Sequence, residues 1–223
     1  MYDWNWNIVF QYKYVFIQGA LLTLWLTLLV VVIGTALGVA VGLLRRSTVP
    51  ALRWFAVMYI ELFRALPILV LLIWIFYVVP ILLPLTLSAF VAALITLSVN
   101  LSAFVAETVR AGIEAIPRNQ FESGLTLGLK PYQIMFVIVL PQALRNMLPN
   151  LLGLYINQLK NSSLASVIAV NELLHLSNIV ISNTYRPLEV YTTVAIAYTI
   201  IILPFALIVD RFEARLKQRA KVL

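Results

Sequence analysis

Charged side chains interrupt the long apolar stretches of this sequence at three places. Glu61 and Arg64 are three residues apart, as are Glu107 and Arg110. A charge in apolar surroundings is costly unless an opposite charge lies beside it, and residues three apart share one face of a helix. We expect each pair either to neutralise its two charges as a structural element, or to exchange partners between two conformations and so act as a gate.

Lys160 differs from these pairs because no acidic residue lies within a helical turn of it. It follows a polar stretch that Pro141 and Pro149 are expected to break. A broken helix whose free backbone N–H groups line a cavity suits an anionic ligand. One hypothesis therefore assigns Lys160, Asn161, Ser162 and Ser163 to the binding of an anionic group, and the other places Lys160 at a lipid headgroup as an anchor.

Other kinds of chemistry are poorly supported. The sequence has no cysteine and one histidine, His175, which excludes thiolate metal sites and argues against a catalytic cluster. It contains no phosphate-binding loop of the form G-x-x-x-x-G-K-[ST], so any ATP chemistry must come from a partner. The net charge of +7 is explained by lysines and arginines in the segments on one side of a membrane, and no nucleic-acid partner is expected.

The surrounding elements are those of a membrane protein. Hydrophobic residues make up 62% of the 223 residues and charged residues 11%, and residues 14–44, 65–106 and 190–209 carry no charge. About 20 apolar residues cross a bilayer as a helix. We predict an all-α membrane protein with one transmembrane domain, residues 1–223, and five transmembrane helices over about 15–44, 54–79, 85–111, 132–158 and 190–209, the second of them interrupted or kinked at Pro67.

The distribution of lysine and arginine predicts the orientation. Basic residues cluster after the first span, after the third span and in the C-terminal tail, and cytoplasmic segments are rich in such residues. They are Arg45, Arg46, Arg53, Arg110, Arg118, Lys130, Arg211, Arg215, Lys217, Arg219 and Lys221. The N-terminus is therefore predicted outside and the C-terminus inside.

The segment between the third and fourth spans, residues 117–131, predicts a short cytoplasmic helix at about 119–128. Asn119 and Glu122 have the spacing of a capping box, and Gly128 suits a left-handed C-terminal cap. Gly124 and Gly128 leave one side of this helix nearly bare. We expect that side to let another protein surface approach closely.

The same segment resembles the signature of bacterial ABC-importer permeases. Glu122, Gly128, Ile138, Leu140 and Pro141 have its spacing, with Ser123 and Gly124 in place of two alanines. The resemblance implies a coupling helix, formed by Asn119, Glu122, Ser123, Gly124 and Gly128, that inserts into a cytoplasmic ATPase.

Further motifs are similar to those of the polar amino acid permeases, for histidine, glutamine, glutamate/aspartate or arginine. These are Glu61, Phe63, Arg64 and Pro67; Ala106, Glu107, Arg110 and Gly112; residues 140–143, LPQA; and residues 160–164, KNSSL. The resemblance implies a multi-pass permease of the bacterial cytoplasmic (inner) membrane that works by alternating access and carries no cofactor or enzymatic activity of its own. It implies that Lys160 and its three neighbours receive the α-carboxylate of an amino acid.

The resemblance also implies the partners. These are two ATPase subunits that bind ATP and magnesium, a second permease chain and an extracytoplasmic amino-acid-binding protein. The sequence leaves open whether the second permease is identical or paralogous, which amino acid is carried, and whether Glu172, His175, Arg186 and Glu189 contact the binding protein. The alternatives are an importer of the same class for another small solute, or less favourably a small channel, for which no selectivity element is evident.

Overall fold

The computed structural model describes the backbone of residues 2–220 and the side chains of residues 2–211. Within this range the chain forms only helices and connecting turns. The α-helices are α1 (Asn7–Gln11), α2 (Lys13–Leu44), α3 (Pro50–Ala65), α4 (Ile68–Ile73), α5 (Val79–Leu82), α6 (Ala89–Glu114), α7 (Arg118–Thr126), α8 (Pro131–Gln133), α9 (Leu140–Asn161), α10 (Leu173–Thr184) and α11 (Pro187–Ala220). Two π-helical segments, Trp74–Val78 and Ile134–Val139, and one 3₁₀ segment, Ser162–Ile168, continue α4, α8 and α9.

Four helical stretches are long and apolar enough to cross a membrane: Lys13–Leu44, Ala89–Glu114, Pro131–Ile168 and Pro187–Arg211. A fifth crossing results if the bent pair of Pro50–Ala65 and Ile68–Leu82 forms one span. The all-helical class is confirmed, with helix limits that differ by several residues from the predicted ones. The predicted sidedness of the two termini stays a prediction.

The second predicted span changes direction sharply at Pro67. The chain bends by 104° between its two halves, and Leu66, the residue before the proline, has an extended backbone with φ −76° and ψ 130°. A proline disfavours helical geometry in the residue that precedes it and lacks the N–H that would continue the helix. Of the two predicted outcomes, an interruption and a kink, the structure has the interruption.

The fourth predicted span, by contrast, is not broken by its prolines. The chain stays helical from Pro131 to Ile168, although Pro141 and Pro149 both lie within it. The π-helical segment Ile134–Val139 ends two residues before Pro141. A π-turn changes the local hydrogen-bond pattern, which lets a helix accommodate a residue without an N–H. The prediction of a broken helix in this region was wrong.

Helices α2 and α6 form the centre of the bundle and touch through a strip of glycines. A Cβ atom on Gly38 would lie 2.6 Å from the backbone oxygen of Ser102, and one on Gly34 would lie 3.0 Å from the side chain of Leu101. Such small residues let two membrane helices pack closely. The core beside them contains buried Leu26, Leu72, Leu97 and Ile134.

Candidate functional site

Glu107 of α6 is the centre of a cluster of arginines from three helices. Its carboxylate lies 2.7 Å from Nη1 of Arg45, at the end of α2, and 2.5 Å from Nη2 of Arg110, one turn along α6. Nη1 of Arg64, in the last turn of α3, lies 3.8 Å away. Arg110 also contacts Glu114. One carboxylate thus links the ends of α2, α3 and α6.

This arrangement corrects one predicted pair. Glu107 and Arg110 do form an ion pair, but Arg64 is directed to Glu107 and forms none with Glu61 among the described residues. Glu61 is exposed, whereas the Glu107 side chain is only 22% exposed, so that most of its surface is shielded from solvent. The more buried carboxylate therefore attracts the arginines. Sequence spacing gave no signal for Arg45, which comes from another helix.

A polar cavity of about 270 Å³ lies between α6 and α9. Lys160 and Asn161, two of the four residues of the predicted binding site, line it together with three amides that the prediction did not include, Asn100, Asn157 and Gln158. Leu101, Phe104 and Leu154 complete the lining. The signal that could have found Asn100 is its position in an apolar helix, where an unpaired polar group is costly.

The two serines of the predicted site are placed differently from Lys160. Ser162 is fully buried, and its hydroxyl donates to the backbone oxygen of Leu159 at 2.7 Å. The Ser163 hydroxyl donates to the backbone oxygen of Lys160 at 2.8 Å. Because the 3₁₀ segment continues directly from α9, the expected free backbone N–H groups are absent from the described residues 160–163. The lining residues Lys160 and Asn161 remain the candidates for anion binding.

Helix α7 occupies the predicted cytoplasmic segment, with a different N-terminus. It begins at Arg118 after Pro117, and the side chain of neither Asn119 nor Glu122 makes a capping hydrogen bond within the described chain. The residue at the N-cap position is Pro117, with φ −59° and ψ 139°, and no side chain caps the first turn. The C-terminal prediction is confirmed, because Gly128 has φ +75° and the amide of Leu129 donates to the oxygen of Gly124 at 3.1 Å.

Of the two glycines predicted to leave one side of α7 bare, Gly128 has no atom within 4 Å of an added Cβ, whereas Gly124 has another role than the one predicted. Gly124 is buried, and a Cβ atom there would lie 2.7 Å from Cγ1 of Ile134. This glycine therefore lets α7 pack on its own chain and does not face a partner. Glu122 and Ser123 are exposed, and so is Leu127, at 78%.

Two acidic residues considered for contacts outside the membrane are buried. Glu172 caps α10, accepting from the amides of Leu174 and His175 and from the Tyr198 hydroxyl. Burial raises the pKa of the Glu172 carboxyl, and these hydrogen bonds lower it in part. The carboxylates of Glu172 and Glu189 are both buried, so neither is available to a docking protein.

Glu189, the second of these residues, accepts from the Tyr2 hydroxyl at 2.5 Å and from the amide of Asn5 at 2.9 Å. The guanidinium of Arg186 lies 3.7 Å from the same carboxylate and donates to the backbone oxygen of Asp3. These contacts fasten the N-terminal segment to the beginning of α11. His175 and Arg186 are partly exposed.

The family of the chain follows from its sequence as a whole. A family model described as "Binding-protein-dependent transport system inner membrane component" matches residues 34–222. The chain belongs to this family. The resemblance inferred from its motifs is thereby confirmed, as is its place in the inner membrane as a subunit of a transport system.

Curated relatives of this permease cover nearly its whole length. The glutamine transport system permease protein GlnP of Escherichia coli (strain K12) is 33% identical, over 96% of this chain and 99% of the relative. The probable glutamine ABC transporter permease protein GlnM of Bacillus subtilis (strain 168) is 32% identical, over the same shares of each chain.

A solved structure of an amino acid ABC transporter with histidines contains a similar chain. It is 35% identical, has a TM-score of 0.90, and the match covers 96% of this permease and 100% of that chain. A chain of the methionine ABC transporter MetNI, in an inward-facing conformation, has a TM-score of 0.76 at 21% identity and covers 92% and 98%. The second likeness concerns the fold alone.

Proposed function

We propose that this chain is the permease subunit of an ATP-driven importer for polar amino acids. It supplies the path across the membrane, and its partners are two cytoplasmic ATPases, a second permease chain and an extracytoplasmic binding protein. Relatives named as glutamine permeases support this substrate class. The solved amino acid transporter with a TM-score of 0.90 supports it as well.

The observation that carries the proposal is the polar cavity between α6 and α9. Its volume of about 270 Å³ is close to the lower end, roughly 300 Å³, of small-ligand pockets. Lys160 brings a positive charge to this cavity and has no ion-pair partner among the described residues. An amino acid carboxylate is the complement of such a charge, and Asn161 can donate a further hydrogen bond.

In the proposed mechanism, ATP binding in the partner subunits moves α7, and α7 moves the bundle between outward-facing and inward-facing states. Helix α7 packs through Gly124 on Ile134, at the beginning of the helical stretch that carries Lys160. Motion of α7 can therefore reach the cavity through a continuous helix. The cluster around Glu107 holds the ends of α2, α3 and α6 in one of the two states.

The experiment that tests the proposal is ATP hydrolysis by the reconstituted complex. The permease is coexpressed with candidate ATPase and binding-protein partners from the same organism, placed in lipid nanodiscs, and supplied with each of the twenty amino acids. We expect stimulation by a polar amino acid. A stable ATPase complex that responds to no amino acid would reject amino acid import and indicate another solute, and failure to bind an ATPase would reject the importer itself.

Two variants test the site of the carboxylate. Lys160→Met removes the charge and keeps much of the apolar stem, whereas Lys160→Arg keeps the charge. We expect at least a tenfold loss of substrate stimulation in Lys160→Met and a smaller loss in Lys160→Arg, because a charged hydrogen bond to a carboxylate contributes about 1.5–3 kcal/mol. If Lys160→Met assembles with the ATPase and transports normally, Lys160 only anchors the helix.

A further inference from the structure

Another cavity lies where α2 ends and α3 begins. Its volume is about 340 Å³, and it is lined by Arg45, Pro50, Arg53, Trp54 and Val57. The two arginines are accompanied by apolar residues, and no acidic residue is part of this lining. The volume falls within the range of small-ligand pockets, which starts at roughly 300 Å³. The cavity therefore has the size and the basic side chains to hold an anionic group.

Arg53 supplies the unbalanced charge of this cavity. It is exposed and has no ion-pair partner among the residues whose side chains the structure describes. Arg45 donates to Glu107 through Nη1, and a guanidinium has further N–H donors for a second acceptor. The sequence has no acidic residue between Asp3 and Glu61, so the counter-charge of Arg53 is expected to come from another molecule.

Exposed apolar side chains accompany the arginines on both helices. Trp54, in the lining, is 68% exposed, and Phe55 and Met58 of α3 are exposed as well. Leu43, in the last turn of α2, is also exposed. On a membrane protein such side chains face the acyl chains of lipids, and tryptophan is enriched at the level of the headgroups. The surroundings of the cavity are therefore those of a lipid-facing surface.

The cavity lies at the end of a membrane-spanning helix. Helix α2 is long and apolar enough to cross the membrane, and Arg45 directly follows its last residue, Leu44. The distribution of lysine and arginine predicts this end to be cytoplasmic. Basic pockets at such a boundary suit the headgroups of anionic lipids, and guanidinium groups bind a phosphate through paired hydrogen bonds.

We infer that this cavity binds the headgroup of an anionic phospholipid, with Arg45 and Arg53 on its phosphate and Trp54 beside its acyl chains. A phospholipid brings both the negative charge and the apolar chains, whereas an acidic segment of a partner ATPase brings the charge alone. Helix α3 packs on α2 and α6, while α7, the predicted docking helix, packs on the π-helical segment Ile134–Val139. The lipid and the ATPase are thus assigned to different elements. This inference does not depend on which solute is imported.

The test counts the lipids bound to the complete permease and ATPase complex by native mass spectrometry. The complex, purified in an uncharged detergent, is titrated with anionic phosphatidylglycerol or with zwitterionic phosphatidylcholine that has the same acyl chains. We expect phosphatidylglycerol to bind at least about fivefold more tightly, because one arginine near the membrane surface changes the affinity for an anionic lipid by about this factor.

Three variants locate the binding site. Arg53→Gln should weaken phosphatidylglycerol binding about fivefold and leave phosphatidylcholine binding unchanged, whereas Arg53→Lys, which keeps the charge, should lose less than about twofold. Lys13→Gln is the matched control, since it removes an exposed positive charge from the opposite end of α2, and it should leave the ratio of the two affinities unchanged. Copurification of the ATPase reports the assembly of each variant.

Each other outcome overturns the inference. Equal affinity for the two lipids, or an equal loss in Arg53→Gln and Lys13→Gln, would refute a specific lipid site. Displacement of phosphatidylglycerol by millimolar inorganic phosphate would show a site for free phosphate instead. Loss of the ATPase from Arg53→Gln with unchanged lipid binding would assign this surface to the ATPase. Amino acid import is tested separately by substrate-stimulated ATP hydrolysis, so it can stand or fail independently of the lipid site.

Discussion

Replacing Glu107 with glutamine should destabilise the permease more than any single surface charge does. The substitution keeps the size of the side chain and removes the charge that faces Arg45 at 2.7 Å and Arg110 at 2.5 Å. The arginines would then repel each other across the ends of three helices. The effect should appear as reduced resistance to unfolding.

The magnitude follows from the burial of the cluster. Exposed ion pairs contribute about 0.2–1 kcal/mol, and breaking a fully buried pair costs about 3–5 kcal/mol. The side chains of Glu107, Arg45 and Arg110 are 21–27% exposed, so the cluster lies between these limits. We expect a loss of about 1–3 kcal/mol for Glu107→Gln, and a coupling energy of about 1–2 kcal/mol between Glu107 and Arg45.

The assay is a double-mutant cycle of Glu107→Gln, Arg45→Gln and the double variant, unfolded by denaturing detergent in mixed micelles. Glu61→Gln is the matched control, since Glu61 is exposed and has no ion pair among the described residues, and it should change the unfolding free energy by less than about 0.5 kcal/mol. The reasoning is refuted if Glu107→Gln is no more destabilising than this control. Strict additivity of the two single changes would also refute it.

Three further outcomes are expected. Gly38→Ala should destabilise the fold by about 1–3 kcal/mol in the same unfolding assay, because the added Cβ would lie 2.6 Å from the backbone oxygen of Ser102. Gly153→Ala is its control: no atom lies within 4 Å of the added Cβ, so this change should be neutral or stabilising by up to about 1 kcal/mol. Leu127→Asp, at a position 78% exposed on the end of α7, should reduce copurification of the ATPase at least about tenfold without changing the unfolding of the permease alone; normal copurification would reject α7 as the docking element. Tyr185→Asn should stabilise the fold by about 0.5–1 kcal/mol, since Tyr185 is 84% exposed and its φ of 54° is unfavourable for a bulky residue.

Much of the architecture could be predicted because it depends on local sequence. An uncharged run of 20 or more residues is long enough to cross a membrane as a helix, in which its backbone N–H and C=O groups are hydrogen-bonded within the run. The helical class followed from these runs. Pro67 and Gly128 determine the backbone conformation at or next to their own positions. The interruption after Leu66 and the left-handed cap of α7 could therefore also be predicted. The motifs identified the family for the same reason, since they are read directly along the chain.

Pairing across the bundle was decided by tertiary structure. Spacing suggested that Arg64 would pair with Glu61, but Arg64 and Arg45 converge on Glu107 once α2, α3 and α6 pack together. Spacing also left one side of α7 bare at Gly124, and only the packing of Ile134 shows which surface occupies it.

The cavity shows the same division between sequence and structure. Lys160 stood out in the sequence because no acidic residue lies near it, whereas Gln158 and Asn100 come from different helices and meet only in the folded chain. The sequence by itself therefore determined the helices, the interruption at Pro67 and the family. The tertiary structure decided which charged and polar groups face one another, because helices distant in the chain meet through side chains whose direction depends on packing.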